Sequence, residues 1–256
     1  MPYSLRGKNV LVTAGSRGLG ALVCEKFAEN GSNIAINYYS NVDSAKALAN
    51  SLQEKYSVKV HIIKGDATAA EDNERLVKET VSELGGLDII IANAGWTRFA
   101  KPGDIYDLSL DEWNRCWQAN VMSHLQLMQA AKPILEQNAD GGVYLLTSSI
   151  AGTLTGGSSM GYSVTKAAGL HLMKHFAFCL GPKIRVNAVL PGLLLTEWGN
   201  QYGETAINNM KEKAALKQET SLEDCANVYI NLAQNSSMTG QEVIVDAGLA
   251  MGSLPK

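Results

Sequence analysis

Tyr162 and Lys166 stand four residues apart in the run Tyr162-Ser163-Val164-Thr165-Lys166. On a helix that spacing stacks both side chains on one face, about 6 Å apart along the axis. A free phenol titrates near pH ~10 and is a poor base at neutrality, but an adjacent ammonium favours the phenolate. Such a pair can move a proton to or from an oxygen, although any helix yields one by chance. Thr147-Ser148-Ser149 closes the apolar run before it, and the Ser149 hydroxyl can donate a hydrogen bond to a carbonyl oxygen. Asn120, flanked by Ala119 and Val121 in a helical pattern, is not expected to face only solvent. The plainer alternative is that Ser149 and Asn120 satisfy backbone groups.

A second cluster, Thr13-Ala14-Gly15-Ser16-Arg17-Gly18-Leu19-Gly20, joins an apolar run to a helical pattern. Gly15, Gly18 and Gly20 let the backbone turn sharply and approach a ligand, and a helix N-terminus offers unpaired N–H groups to a pyrophosphate. The spacing is not the GxGxxG dinucleotide fingerprint, and such a turn can simply be a tight connection. After the second apolar run, Asn37-Tyr38-Tyr39-Ser40-Asn41 has no carboxylate, where NAD-preferring folds place one for the ribose 2′-hydroxyl. Asn37, Tyr38 and Ser40 can donate hydrogen bonds, and Arg17 can reach the same space or stay a solvated surface arginine. The pattern favours a 2′-phosphate.

The elements that position these residues alternate. Short runs at Asn9–Thr13, Asn33–Tyr38, Val58–Lys64, Leu87–Ala92, Gly142–Ser148, Ile184–Leu190 and Val243–Asp246 read as strands. Helical patterns run over Leu19–Asn30, Asp43–Tyr56, Glu71–Leu84, Asp111–Gln137 and Met160–Leu180. Ser109 is a candidate N-cap for the long one, and Pro133 should bend or end it. Glu197–Gln234 is polar and helix-prone. The alternation predicts an α/β fold, a single Rossmann-type doubly wound parallel sheet with helices on both faces, over residues 1–256. Such sheets bind ligands beyond the carboxyl ends of their strands. Residues following Val12, Ile36, Lys64, Ile91, Leu146 and Val189 should rim one crevice, where the two clusters meet.

Composition excludes other classes. Apolar residues at 46% and charged residues at 18% argue for a packed core rather than disorder, and a net charge of −3 offers no basic footprint for nucleic acid or anionic membrane. No apolar run approaches the ~20 residues of a membrane span, and Met1–Lys8 has no apolar signal core. The four cysteines form no CxxC pair, so reduced thiols and a cytoplasmic location are expected. His171 and His175 have ligand-like spacing without an acidic or Cys partner, and no metal is expected.

With these motifs in this order, the chain resembles the short-chain dehydrogenase/reductases along nearly its whole length. The matching residues are Thr13–Gly20, Asp66, Asn93-Ala94-Gly95, Asn120, Ser149, Tyr162 with Lys166, and Pro191-Gly192 with Thr196. The resemblance implies that Tyr162 transfers the proton, Ser149 orients the substrate oxygen, Lys166 holds the nicotinamide ribose and lowers the tyrosine pKa, and Asn120 anchors a relay water. It implies an NADP(H) cofactor held by the glycine turn, with Asp66 at the adenine, Asn93 to Gly95 along the groove, and Pro191, Gly192, Leu194 and Thr196 at the carboxamide. Ala14 departs from the usual first glycine of the turn, and Ala92 from an asparagine often found beside Asn93.

Trp96, Leu154, Met160, Trp198 and Tyr202, the last two in a substrate segment over about 193–220, are expected to form an apolar and aromatic pocket. That suits a bulky hydrophobic or aromatic ketone, and the chain looks most like fungal-type secondary-metabolism reductases such as those acting on polyhydroxynaphthalene ketones. The helices carrying Trp117, Leu125, Met128, Leu172, Met173 and Phe176 suggest a homo-oligomer, a tetramer or dimer. Two alternatives stay open: a non-redox NADP(H)-binding sensor or structural subunit, and a reductase that also guides a cyclisation.

Overall fold

Runs rich in Val, Ile and Leu form strands buried on both faces, and the central ones do so here, with every residue of Asn9–Val12, Ile89–Ala92 and Gly142–Thr147 buried. The computed structural model describes residues 3–101 and 103–251; Met1, Pro2 and the last five residues of the single-domain reading lie outside them. The strands are β1 (Asn9–Val12), β2 (Asn33–Tyr38), β3 (Val60–Lys64), β4 (Ile89–Ala92), β5 (Gly142–Thr147), β6 (Ile184–Pro191) and β7 (Glu242–Val245). All pair in parallel, in the order β3-β2-β1-β4-β5-β6-β7. The chain builds outward from β1, then crosses back to lay β4 on its other side. Val12 pairs with Ile91 at this switch point, so the loops after β1 and β4 open into the same space.

Alternation along the strands sorts side chains into two layers. Val10, Val12, Ile89, Ile91, Val143 and Leu145 pack with α1 (Gly18–Glu29), α2 (Val42–Tyr56) and α8 (Leu222–Gln234). Leu11, Ile90, Tyr144 and Leu146 pack with α3 (Ala70–Leu84), α5 (Ser123–Leu135) and α6 (Met160–Leu180).

Two stretches differ from the sequence reading. The helix expected over Asp111–Gln137 is broken into α4 (Leu110–Trp117), a π turn at Gln118–Met122, and α5. Ser109 does cap α4, in a capping box with Glu112, and Pro133 lies two residues before α5 ends. The π turn seats an extra residue and carries Asn120 into a fully buried position. The stretch Glu197–Gln234 divides into a 3-10 turn at Gly199–Tyr202, α7 (Glu204–Lys213) with no buried residue, and α8, which buries Cys225, Ala226, Tyr229 and Ala233. Of the apolar residues expected to be surplus to one chain, Met128, Met173 and Phe176 belong to this chain's own core, because α5 and α6 lay them on the sheet. Leu125 and Leu172 pack at its edge, and Trp117 is exposed.

Candidate active site

Beyond β1 the chain must reverse into α1 within a few residues, so backbone crowds backbone. Ala14 and Gly18 both adopt positive φ, 48° and 54°. A Cβ on Gly20 would lie 2.5 Å from the Ala14 carbonyl oxygen, and one on Gly15 2.9 Å from that of Val12. Two asparagines bolt the turn in place. Asn37 Oδ1 accepts from Ala14 N at 3.0 Å while its Nδ2 donates to Gly65 O at 3.0 Å. Asn93 Nδ2 donates to the carbonyls of Thr13 and Ala14, and the amides of Asn93 and Ala94 donate to Thr13 Oγ1, each at 2.9 Å. Helix α1 then starts with no side-chain cap and no acid in its first turn, leaving N–H groups open to an anion. The close approach of glycine backbone and these unpaired donors fit a pyrophosphate.

This turn forms one wall of a cleft of about 400 Å³. Ala14 and Arg17 to Gly20 face Asn93 and Gly95, Thr147 to Ser149, Tyr162, Lys166, and the segment from Pro191 to Tyr202, including Gly192, Leu194 and Thr196. Gly15, Ser16, Asn37, Tyr38, Ser40, Asp66 and Ala94 lie outside this walled part. For Asn37 the expectation of a ligand contact is corrected: it is buried, and its amide is taken up by the protein backbone. Asp66 folds one carboxylate oxygen onto the Thr68 amide and hydroxyl, at 2.9 and 2.8 Å.

At the far end, α6 opens with Ser159 accepting from the Tyr162 amide at 3.1 Å, which sets the half-buried phenol at the cleft. One turn on, Lys166 is 4% exposed; its Nζ donates to Thr147 O at 2.8 Å and lies 5.5 Å from the Tyr162 ring centroid. Gly95 makes room, since a Cβ there would come 3.0 Å from Asn120 Oδ1 and 3.4 Å from Lys166 Nζ. Ser149 Oγ accepts from Ala151 N at 3.1 Å, which leaves its proton available to a substrate oxygen. Asn120 commits both amide donors: Nδ2 donates to Trp96 O and Thr165 Oγ1, while Oδ1 accepts from Trp96 N.

Burial sets the proton affinities. It pushes the Tyr162 phenol above its ordinary value, and the neighbouring Tyr202 adds to this while Ser149 opposes it. It lowers the Lys166 ammonium to about 8. With its affinity raised by burial, the phenol carries a proton to give at neutral pH.

The Trp198 ring lies 6.1 Å from that of Tyr162, and Tyr202 meets Phe99 edge-on at 4.8 Å. Phe99 carried no local sequence signal; it arrives through the loop after β4. The other expected pocket residues stand apart. Trp96 stacks on the Arg115 guanidinium at 4.5 Å, and Leu154 and Met160 are exposed outside the walled cleft. Among the described residues no cluster of three metal-ligating side chains occurs, and no helix is long and apolar enough to cross a membrane.

A cleft that joins a glycine turn at a helix N-terminus to a tyrosine, a serine and a buried lysine is the arrangement of a dinucleotide-dependent oxidoreductase. Comparison with known proteins agrees. Residues 13–250 match the family model described as enoyl-(acyl carrier protein) reductase. The 3-oxoacyl-(acyl-carrier-protein) reductase of Staphylococcus epidermidis is 30% identical over 251 residues, covering 95% of this chain and 99% of that protein. Dehydrogenase/reductase SDR family member 4 of Rattus norvegicus is 32% identical over 252 residues, covering 95% and 88%. Among solved structures, the NADPH-dependent 3-quinuclidinone reductase of Rhodotorula rubra superposes with a TM-score of 0.89 at 26% identity, covering 97% of this chain and 93% of that one. The chain belongs to the short-chain dehydrogenase/reductase family, enzymes that act on CH–OH groups.

Proposed function

We propose that this enzyme interconverts a ketone and a secondary alcohol with NADP(H), taking a bulky hydrophobic or aromatic substrate. One observation carries the reading: Tyr162, Ser149 and Lys166 converge on one end of the cleft whose other end is the glycine turn at α1. The nicotinamide supplies or accepts the hydride when bound. In the reducing direction Ser149 Oγ donates a hydrogen bond that fixes the substrate oxygen, and Tyr162 Oη delivers its proton to that oxygen as negative charge develops. Lys166, tethered to Thr147 O, presents an ammonium to the ribose hydroxyls and to the phenolate left behind. Asn120 positions the loop after β4 through the Trp96 backbone. Trp198 and Tyr202, the latter backed by Phe99, give the substrate end its aromatic wall, which supports a large apolar ketone over a small sugar acid.

The remaining parts of the reading are proposals of the same standing. Residues 1–256 act as one cytoplasmic domain, consistent with four free cysteines of which three are buried. The chain works as a homo-oligomer, and exposed Trp117, Val164 and Phe178 on α4 and α6 mark a surface for it. The test is a panel of ketones and alcohols followed at the reduced-nicotinamide absorbance band. Tyr162→Phe should lower turnover about 10²–10⁴-fold with cofactor affinity nearly unchanged. Wild-type rates in that variant would overturn the mechanism.

A further inference from the structure

Arg17 and Glu197 meet across the mouth of the cleft, Nη1 to Oε2 at 2.7 Å, though 180 residues separate them in sequence. Arg17 is the last residue of the glycine turn, immediately before α1. Glu197 follows Thr196, whose Cγ2 lies 3.5 Å from where a Cβ on Gly18 would be, and precedes Trp198 beside the catalytic tyrosine. Both side chains are largely exposed, at 65% and 75%, and among the described residues neither forms a second ion pair. Exposed and singly partnered, Arg17 is held by a carboxylate that another anion can replace.

We infer that Glu197 is a specificity-determining residue: its carboxylate competes with the 2′-phosphate of the cofactor for Arg17 and so trims the preference for NADPH over NADH. The inference rests on the NADP(H) reading above. A phosphate carrying about two negative charges can take Arg17 only by drawing it away from Glu197, which costs that pair. A 2′-hydroxyl makes no such demand, so NADH binding is indifferent to the pair. Exposed ion pairs of this kind are modest, and the corresponding change in affinity is about 1.5- to 5-fold.

Titration of reduced-nucleotide fluorescence on the purified protein tests this with wild type, Glu197→Gln, Arg17→Ala and the double variant. Glu197→Gln should lower the NADPH Kd by about 1.5- to 5-fold at low salt and leave the NADH Kd unchanged. The gain should vanish at about 1 M salt, where the screening length is roughly 3 Å, and should be absent on the Arg17→Ala background. Equal changes for both nucleotides, weaker NADPH binding, or a gain that survives loss of Arg17 would each overturn the inference. If Arg17→Ala weakens both nucleotides equally, Arg17 reads the shared pyrophosphate and the assignment of the 2′-phosphate fails with it. If Arg17→Ala is selective while Glu197→Gln is silent, only the role of Glu197 fails.

Discussion

Lys166 is an expensive residue to bury. Its ammonium is held at about 8 by desolvation, against an ordinary value near 10.5, with a single hydrogen bond to Thr147 O in return. Below pH 8 both folded and unfolded chains carry the proton, and the folded state bears the whole penalty. Between pH 8 and 10.5 the folded state sheds its proton first, so stability rises with pH through that window. The full swing over that window is on the order of 3–4 kcal/mol. Lys166→Met, apolar and of similar volume, should therefore be more stable than wild type at pH 7, lack this rise between pH 8 and 10.5, and lose turnover. Urea unfolding of both proteins at pH 7 and pH 10 reads the difference. Parallel pH profiles would mean that the ammonium is solvated in the folded state.

The π turn shows what an element can contribute that its helical neighbours cannot. An extra residue at Gln118–Met122 lets Asn120 face inward and clamp both backbone groups of Trp96, while α4 and α5 keep their own faces buried. Deleting one residue there, for instance Met122, would restore a continuous α-helix that keeps α4 and α5 on their present faces but turns Asn120 away from Trp96. The Trp96 clamp and the seat of Gly95 beside Lys166 would be lost. We expect a folded variant with native-like far-UV circular dichroism and turnover reduced at least about 100-fold, because misplacement of about 1 Å can cost that much. Near-normal turnover would show that the turn is dispensable. The strands were legible in the sequence because β-branched runs such as Ile89–Ala92 admit few other environments, and Tyr162 with Lys166 was legible because four-residue spacing is itself geometric. The π turn was not, since Ala119-Asn120-Val121 satisfies a continuous α-helix equally well until tertiary packing favours the bulge. Asn37 looked like a ligand donor for a related reason: its type gives hydrogen-bonding capacity, but only the fold reveals that Ala14 and Gly65 use it. Phe99 and Glu197 acquire meaning only through partners distant in sequence.

At the scale of the molecule, the cleft unites residues from Ala14 to Tyr202, drawn from the ends of β1, β4, β5 and β6. The sheet order places β1 and β4 side by side although two βα units intervene, so this junction closes only after long loops are closed. Ligand affinity is thus a property of the assembled sheet. Saturating cofactor at about 100 times its Kd should add about 2.7 kcal/mol to global stability. Since the site needs its last wall before it can bind, that gain should appear as slower unfolding with an unchanged refolding rate. Stopped-flow measurement in both directions separates the two, and faster refolding with cofactor would mean that the glycine turn binds nucleotide before β6 docks. During synthesis the same geometry sets an order of events. A ribosome-bound chain that has not yet exposed Tyr202 owns the phosphate turn but not the whole cleft, so on this expectation nucleotide locks the finished chain rather than chaperoning the nascent one.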